Sequence, residues 1–132
     1  MPITTIDPPE LAAIPGSANI SVATGSRIVH IAGQTGVDRD GQPVGATLAE
    51  QAAQSMRNLR TAVTAAGCTT ADIAMLRIYV VDYDASSLDA IIGAAIEVFG
   101  EDFPVTASTL LGVATLFQPE LLIEIDAMLI AD

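Results

Sequence analysis

Few side chains in this sequence can do chemistry, and their types narrow the reactions open to it. Glu124 stands in the run Leu122-Ile123-Glu124-Ile125-Asp126-Ala127-Met128, where acids alternate with apolar residues. A carboxylate presented among apolar neighbours suits a general acid or base that handles the proton of a bound water. Asp126 shares its face of the strand with Glu124, Leu122 and Met128 and reads as a structural hydrogen-bond acceptor. Arg77 lies inside the apolar run Ala74-Met75-Leu76-Arg77-Ile78-Tyr79-Val80-Val81, where an unpaired charge is costly. It must meet solvent, an acid or a bound anion, and pairing with an acid is the expected outcome.

Ser108 could act as a nucleophile only beside a base, and the one histidine, His30, has no evident reason to reach it within the same chain. His30 and Cys68 are each single, which excludes an internal disulfide and any Cys/His metal cluster within one chain. No metal and no organic cofactor are expected. The five basic residues are Arg27, Arg39, Arg57, Arg60 and Arg77, so no lysine amine is available for Schiff-base chemistry. Arg57 and Arg60 read as a solvated face of a helix near Glu50.

Such side chains need a frame, and 132 residues make one domain, spanning 1–132. Half the chain is hydrophobic, at 51%, yet only 4% is aromatic, so the core must be built from Ala, Val, Ile and Leu. That apolar excess exceeds what so small a core absorbs and predicts burial against further copies. A formal net charge of -11 repels phosphate backbones and anionic lipid, so neither nucleic acid nor membrane is an expected partner. The N-terminal MPITTIDPPEL has neither a basic segment nor an apolar signal core, and a cytoplasmic location is expected.

Pro2, Pro8, Pro9 and Pro15 predict an extended lead-in over residues 1–18, with order beginning near Asn19. Ile20 and Val22, the turn Thr24-Gly25-Ser26 and the run 27–32 predict a β-hairpin. Gly33-Gln34-Thr35-Gly36 breaks the second strand. Thr47 and Glu50 form a capping box ahead of Leu48, Ala52, Met56, Leu59 and Val63 at helical spacing, and Gly67 supplies the stop. A strand over 74–81 follows. A second helix is capped by Ser86 or Ser87, carries the stripe Leu88, Ile91, Ile92, Ala95, Ile96 and Phe99, and closes at Gly100. An apolar stretch after Pro104 and a strand over 121–130 complete an α+β sandwich with two helices on one face of a mixed sheet.

Taken in order, Ala32-Gly33-Gln34, Gln51-Ala52, Asn58-Leu59, Ala65-Ala66-Gly67, Tyr79-Val80-Val81-Asp82 and Ile123-Glu124-Ile125-Asp126-Ala127 resemble the RidA/YjgF family of reactive-intermediate deaminases over roughly residues 19–130. The resemblance implies a chorismate-mutase-like fold and a homotrimer with a central barrel and three clefts between subunits. It implies a hydrolase that converts small imines and enamines to a keto acid and ammonia. Glu124 would hold the attacking water and the Gly33 backbone N–H would assist.

The sequence departs from that pattern at two places. The family arginine that grips a substrate carboxylate falls at Ser108, or at Thr106 in a register that starts from Pro104, and no Lys or Arg follows Arg77. The family tyrosine of a Gly-Pro-Tyr motif falls at Ala18 or nearby within Pro15-Gly16-Ser17-Ala18-Asn19. The binding set carried over is therefore Gly33, Ser108 and Ala18, with Arg77 as a partial replacement for the clamp. Two readings stay open, a hydrolase acting on imine, enamine or related carbonyl compounds and a non-catalytic metabolite-binding or regulatory trimer. The nuclease or translation-inhibitor role attached to the family fits poorly with the charge.

Overall fold

Residues 3–132 are described by a computed structural model. Ile3, Thr4, Thr5 and Ile6 are all β-branched and form β1 (Ile3–Ile6), antiparallel to β2 (Ile20–Ala23). Pro8 and Pro9 come after β1, as residues that cannot donate to a ladder. Pro15 and Gly16 then turn the chain, with Gly16 at φ +80 and the Ser17 N–H donating to the Ile14 carbonyl at 3.1 Å. Asn19 ties the two arms together, its backbone and side-chain N–H groups donating to Asp7 Oδ1 at 2.8 and 2.9 Å. The lead-in is thus extended but paired, and order does not wait for Asn19. Met1 and Pro2, its first residues, lie outside the described residues.

The hairpin expected between the next two runs does not form, because β2 takes β1 as its partner and β3 (Arg27–Thr35) takes β6 (Ile123–Ala131). Gly25 makes this crossing possible. A side chain there would strike the Ala131 carbonyl and Ile130, so only glycine lets the chain pass the end of β6.

The main sheet has the order β3-β6-β4-β5, with β4 (Ile73–Val81) antiparallel to β6 and parallel to β5 (Ala107–Val113). The parallel pair is joined through α2 (Ala85–Phe99), as a crossover connection requires. α1 (Leu48–Ala65) packs beside α2 over the inner face of the sheet. On β6 the alternation read from sequence is realised. Ile123, Ile125, Ala127 and Leu129 are buried under the helices, while Leu122, Glu124, Asp126 and Met128 face outward.

α1 starts on the Thr47/Glu50 capping box and buries Ala52, Met56, Leu59 and Val63 as its periodicity requires. Gly67, just beyond its end, stands at φ +75. α2 departs from expectation twice. Its N-cap is Asp84, whose Oδ1 accepts from the Ser86 and Ser87 N–H groups, while Ser87 Oγ accepts from the Asp84 N–H as the third-position member of a capping box. Its stripe also splits. Ile91, Ala95 and Phe99 are buried, whereas Leu88, Ile92 and Ile96 are exposed, since the sheet and α1 take the other side through Ile91, Ala94 and Ala95.

The buried side of α1 carries polar groups as well as apolar ones. Gln51, 1% exposed, donates from Nε2 to the carbonyls of Gly45 and Glu120 and accepts from the Leu122 N–H at Oε1. Ser55, 0% exposed, donates to the Gln34 carbonyl at 2.6 Å. Asn58 donates to the carbonyls of Thr35 and Val37. Spaced four and three residues apart, these side chains share one edge of the helix.

Candidate functional site

The site grows from an irregularity between β3 and β6. Ile31 pairs with Ala127 and Gln34 with Ile125, so Ala32 and Gly33 together oppose the single residue Asp126. Such a bulge leaves its residues out of the ladder and re-aims the side chains beside it. The Glu124 carboxylate fills the resulting space. A Cβ at position 33 would collide with Glu124 Oε2 and Cδ, so any side chain there would displace the acid from this position. The two residues assigned the chemistry, far apart in sequence, are therefore in contact.

Beside Glu124 on the same outer face lies a hydrogen-bonded trio. The register places Tyr79 opposite Glu124 and Arg77 opposite Asp126. Asp126 accepts from Arg77 Nε at 2.9 Å on Oδ1 and from the Tyr79 hydroxyl at 2.9 Å on Oδ2. The acid pair expected for Arg77 is this one, and it holds the guanidinium more firmly protonated. Burial pushes the Tyr79 phenol above its ordinary value, and the bond to Asp126 and the charge of that carboxylate add to the shift. Arg77 is half exposed, with Nε engaged and its terminal nitrogens directed to no side chain among the described residues.

Ser108 and Ala18 lie elsewhere. Ala18 is buried and bridges to Ala107, its N–H donating to the Thr106 carbonyl at 3.1 Å. The Ser108 hydroxyl lies 2.7 Å from that of Ser17. Ser21 Oγ meets Thr106 Oγ1 at 2.7 Å and accepts from the Ala107 N–H at 2.7 Å. Of the two positions that the resemblance offers for the family arginine, Thr106 is buried among these hydroxyls and Ser108 keeps partial access. Tyr79 is paired with both Glu124 and Leu111, so Ser108, three residues before Leu111 on β5, points to the opposite face from Glu124. One chain thus brings together Glu124 with Gly33 and Ser108 with Ala18, but not the first pair with the second.

With this geometry in view, comparison with known proteins is decisive about kinship. The family described as Endoribonuclease L-PSP, the RidA/YjgF family, matches residues 12–131. This chain belongs to that family. A structure of the conserved Rid-family protein YyfB from Yersinia pestis, of unknown function, is 34% identical over 98% of this chain and 99% of its own, with a TM-score of 0.89. Rv2704 of Mycobacterium tuberculosis, a member of the YjgF/YER057c/UK114 family, is 29% identical over 97% and 98%, with a TM-score of 0.60. Escherichia coli TdcF, solved with bound serine, is 24% identical over 91% of each chain at a TM-score of 0.69 and shares the fold. Among curated proteins none matches. The α+β fold with two helices on a mixed sheet is that of the RidA/YjgF structures.

Several residues of the site escaped sequence reading. Tyr79 enters the sequence reading as a strand aromatic and within the Tyr79-Val80-Val81-Asp82 piece of the resemblance, but with no role at the site, although its spacing of two from Arg77 already puts both on one face. Ser17 and Ser21 carry no motif, and they meet Ser108 and Thr106 only because residues 17–21 run beside the start of β5. Arg57 and Arg60 remain half exposed, but they reach Glu97 near the end of α2 and Asp102 in the turn just after it, while Glu50 is occupied by Thr47. Cys68 is the buried thiol expected, and His30 is exposed on the outer face of β3, opposite Met128.

Proposed function

We propose that this RidA-family chain hydrolyses small, uncharged imines, enamines or related carbonyl compounds in clefts between the subunits of a homotrimer. The observation that carries the reading is the Glu124 carboxylate held against Gly33, beside the Arg77–Asp126–Tyr79 trio on the outer sheet face. In the proposed reaction Glu124 takes a proton from water while the water oxygen forms a bond to the C=N carbon and the π electrons move to nitrogen. Glu124 gives that proton to nitrogen, forming the carbinolamine; it then takes the proton of the carbinolamine hydroxyl and delivers it to nitrogen as the C–N bond breaks and the C=O bond forms, so that ammonia or an amine leaves neutral. The Gly33 N–H and a Ser108 hydroxyl from a neighbouring copy supply hydrogen bonds. Arg77, on the face of Glu124 and half exposed, is available to serve a polar group of the substrate.

Two readings of the sequence favour uncharged substrates. On the resemblance Ser108, or Thr106 in the other register, takes the place of the family arginine, and no Lys or Arg follows Arg77. A buried bidentate ion pair contributes a large share of carboxylate affinity, and its loss costs anionic ligands more than neutral ones. The outer sheet face, with Ile28 65% exposed beside Met128 and Ile130, supports assembly of further copies there. RNA cleavage, named in the family description, fits poorly with a net charge of -11.

The test is hydrolysis of 2-aminoacrylate and of a neutral imine by the wild type and by Glu124→Gln. The neutral imine should turn over faster than 2-aminoacrylate, and Glu124→Gln should lose about 100-fold or more. Equal rates for the two proteins overturn catalysis by Glu124. A non-catalytic metabolite-binding trimer is the second reading, favoured by the Ser17 hydrogen bond that already occupies the Ser108 hydroxyl.

A further inference from the structure

We infer that Gln51 and Ser55 of α1 are positioning residues that set the contact between Gly33 and Glu124. The inference rests on the reading of that pair as the site, not on turnover. Two polar side chains at 1% and 0% exposure are an unusual use of a helix face that could have been apolar. Both are fully engaged, as buried polar groups must be, and their partners are not scattered.

Ser55 holds the carbonyl of Gln34, the residue after Gly33. Gln51 holds the Glu120 carbonyl and the Leu122 N–H, four and two residues ahead of Glu124. Its backbone also fills the place where a side chain on Gly36 would go. The same helix edge thus grips the segment leaving the bulge and the segment entering β6, the two that must be in register for Glu124 to seat against Gly33. Asn58 extends the grip to the carbonyls of Thr35 and Val37. The bulge itself gives Ala32 and Gly33 no ladder partner, so the hold on Gln34 and Thr35, next along the chain, fixes their distance from the acid. A fully satisfied polar network specifies one arrangement, where apolar contacts tolerate several.

The test reads geometry directly. In the wild type the backbone amide resonance of Gly33 should follow pH through the ionisation of Glu124, and this response should vanish in Glu124→Gln. Ser55→Ala removes one oxygen atom, and Gln51→Met keeps volume while removing the hydrogen bonds. In each, with cooperative thermal unfolding verifying the fold, the amplitude of the Gly33 response should fall at least twofold. Ile96→Ser, remote on α2, should leave it unchanged. Wild-type amplitude in both α1 variants overturns the inference, as does a Gly33 resonance that ignores Glu124 in the wild type. Because this readout needs no substrate, failure of Glu124→Gln to slow imine hydrolysis removes the catalytic reading and leaves the positioning result to stand separately.

Discussion

At the scale of single residues, Gly33 and Glu124 make one unit, since the acid occupies the volume that any side chain at 33 would need. Gly33→Ala should therefore destabilise by about 1–3 kcal/mol through overpacking, measured by urea denaturation, and should lower imine hydrolysis along with stability. An alanine tolerated at no cost would mean that Glu124 swings away freely. The neighbouring trio gives a pH-dependent counterpart. Tyr79 has a raised folded-state pKa, caused first by burial and then by Asp126, so its neutral form is favoured in the fold. Its contribution is present in full below the ordinary tyrosine value of about 10 and is lost as pH rises through the folded value. Asp126→Asn removes the acceptor charge and should bring the phenolate absorbance of Tyr79 in at lower pH than in the wild type. An unchanged ultraviolet titration would show that burial acts alone.

At the scale of elements, the two helices divide what the sequence could and could not reveal. α1 was legible from end to end, because the Thr47/Glu50 box, the spacing of its apolar residues and Gly67 are local signals that agree. α2 was legible in extent but not in orientation. Leu88, Ile92 and Ile96 belong to the apolar stripe by sequence, yet only contact with α1 and the sheet decides which edge of a wide stripe is buried. Ile91→Ala should then cost about 2–5 kcal/mol, while Ile96→Ser, 68% exposed, should stay within about 0.5 kcal/mol in the same denaturation experiment. The cap of α2 is Asp84 and not either of the two serines after it, and its pKa is lowered because the Ser86 hydroxyl and backbone N–H donate to it. Its stabilising effect is therefore present above the ordinary aspartate pKa and is lost as pH falls through the depressed folded value. Asp84→Ala should lower the melting temperature at neutral pH and flatten its decline in acid. The pairing of β1 with β2 was not legible, because a strand chooses among partners. The β-branched Ile3–Ile6 segment competes for β2, and no periodicity reveals that competition. The Glu124–Gly33 contact came through only because the family resemblance carried it, whereas the polar edge of α1 that borders it was hidden among ordinary helix-forming residues.

At the scale of the whole molecule, the outer sheet face and the net charge pull in opposite directions. Ile28, Leu111, Val113, Leu122, Met128 and Ile130 present apolar area on the face away from the helices, which favours covering it with further copies. Each copy brings a net charge of -11, so every approach is opposed by long-range repulsion. These terms respond differently to salt. Repulsion between exposed charges is screened, with a Debye length of about 30 Å at 0.01 M falling to about 8 Å at 0.15 M, while burial of apolar area is little affected. An assembly held by that face should therefore strengthen as salt is added, the reverse of one held by ion pairs across the interface. Sedimentation of the wild type should show the proposed trimer, at three times the 13.6 kDa chain mass, gaining population between those two salt concentrations. Ile28→Asp, which sets a charge on this outer apolar face, should shift the population to single chains at both. A species that dissociates on adding salt would mean that charged groups such as Arg77 reach acids on a neighbouring copy, and would move the weight of the interface from the apolar residues to the trio around Asp126.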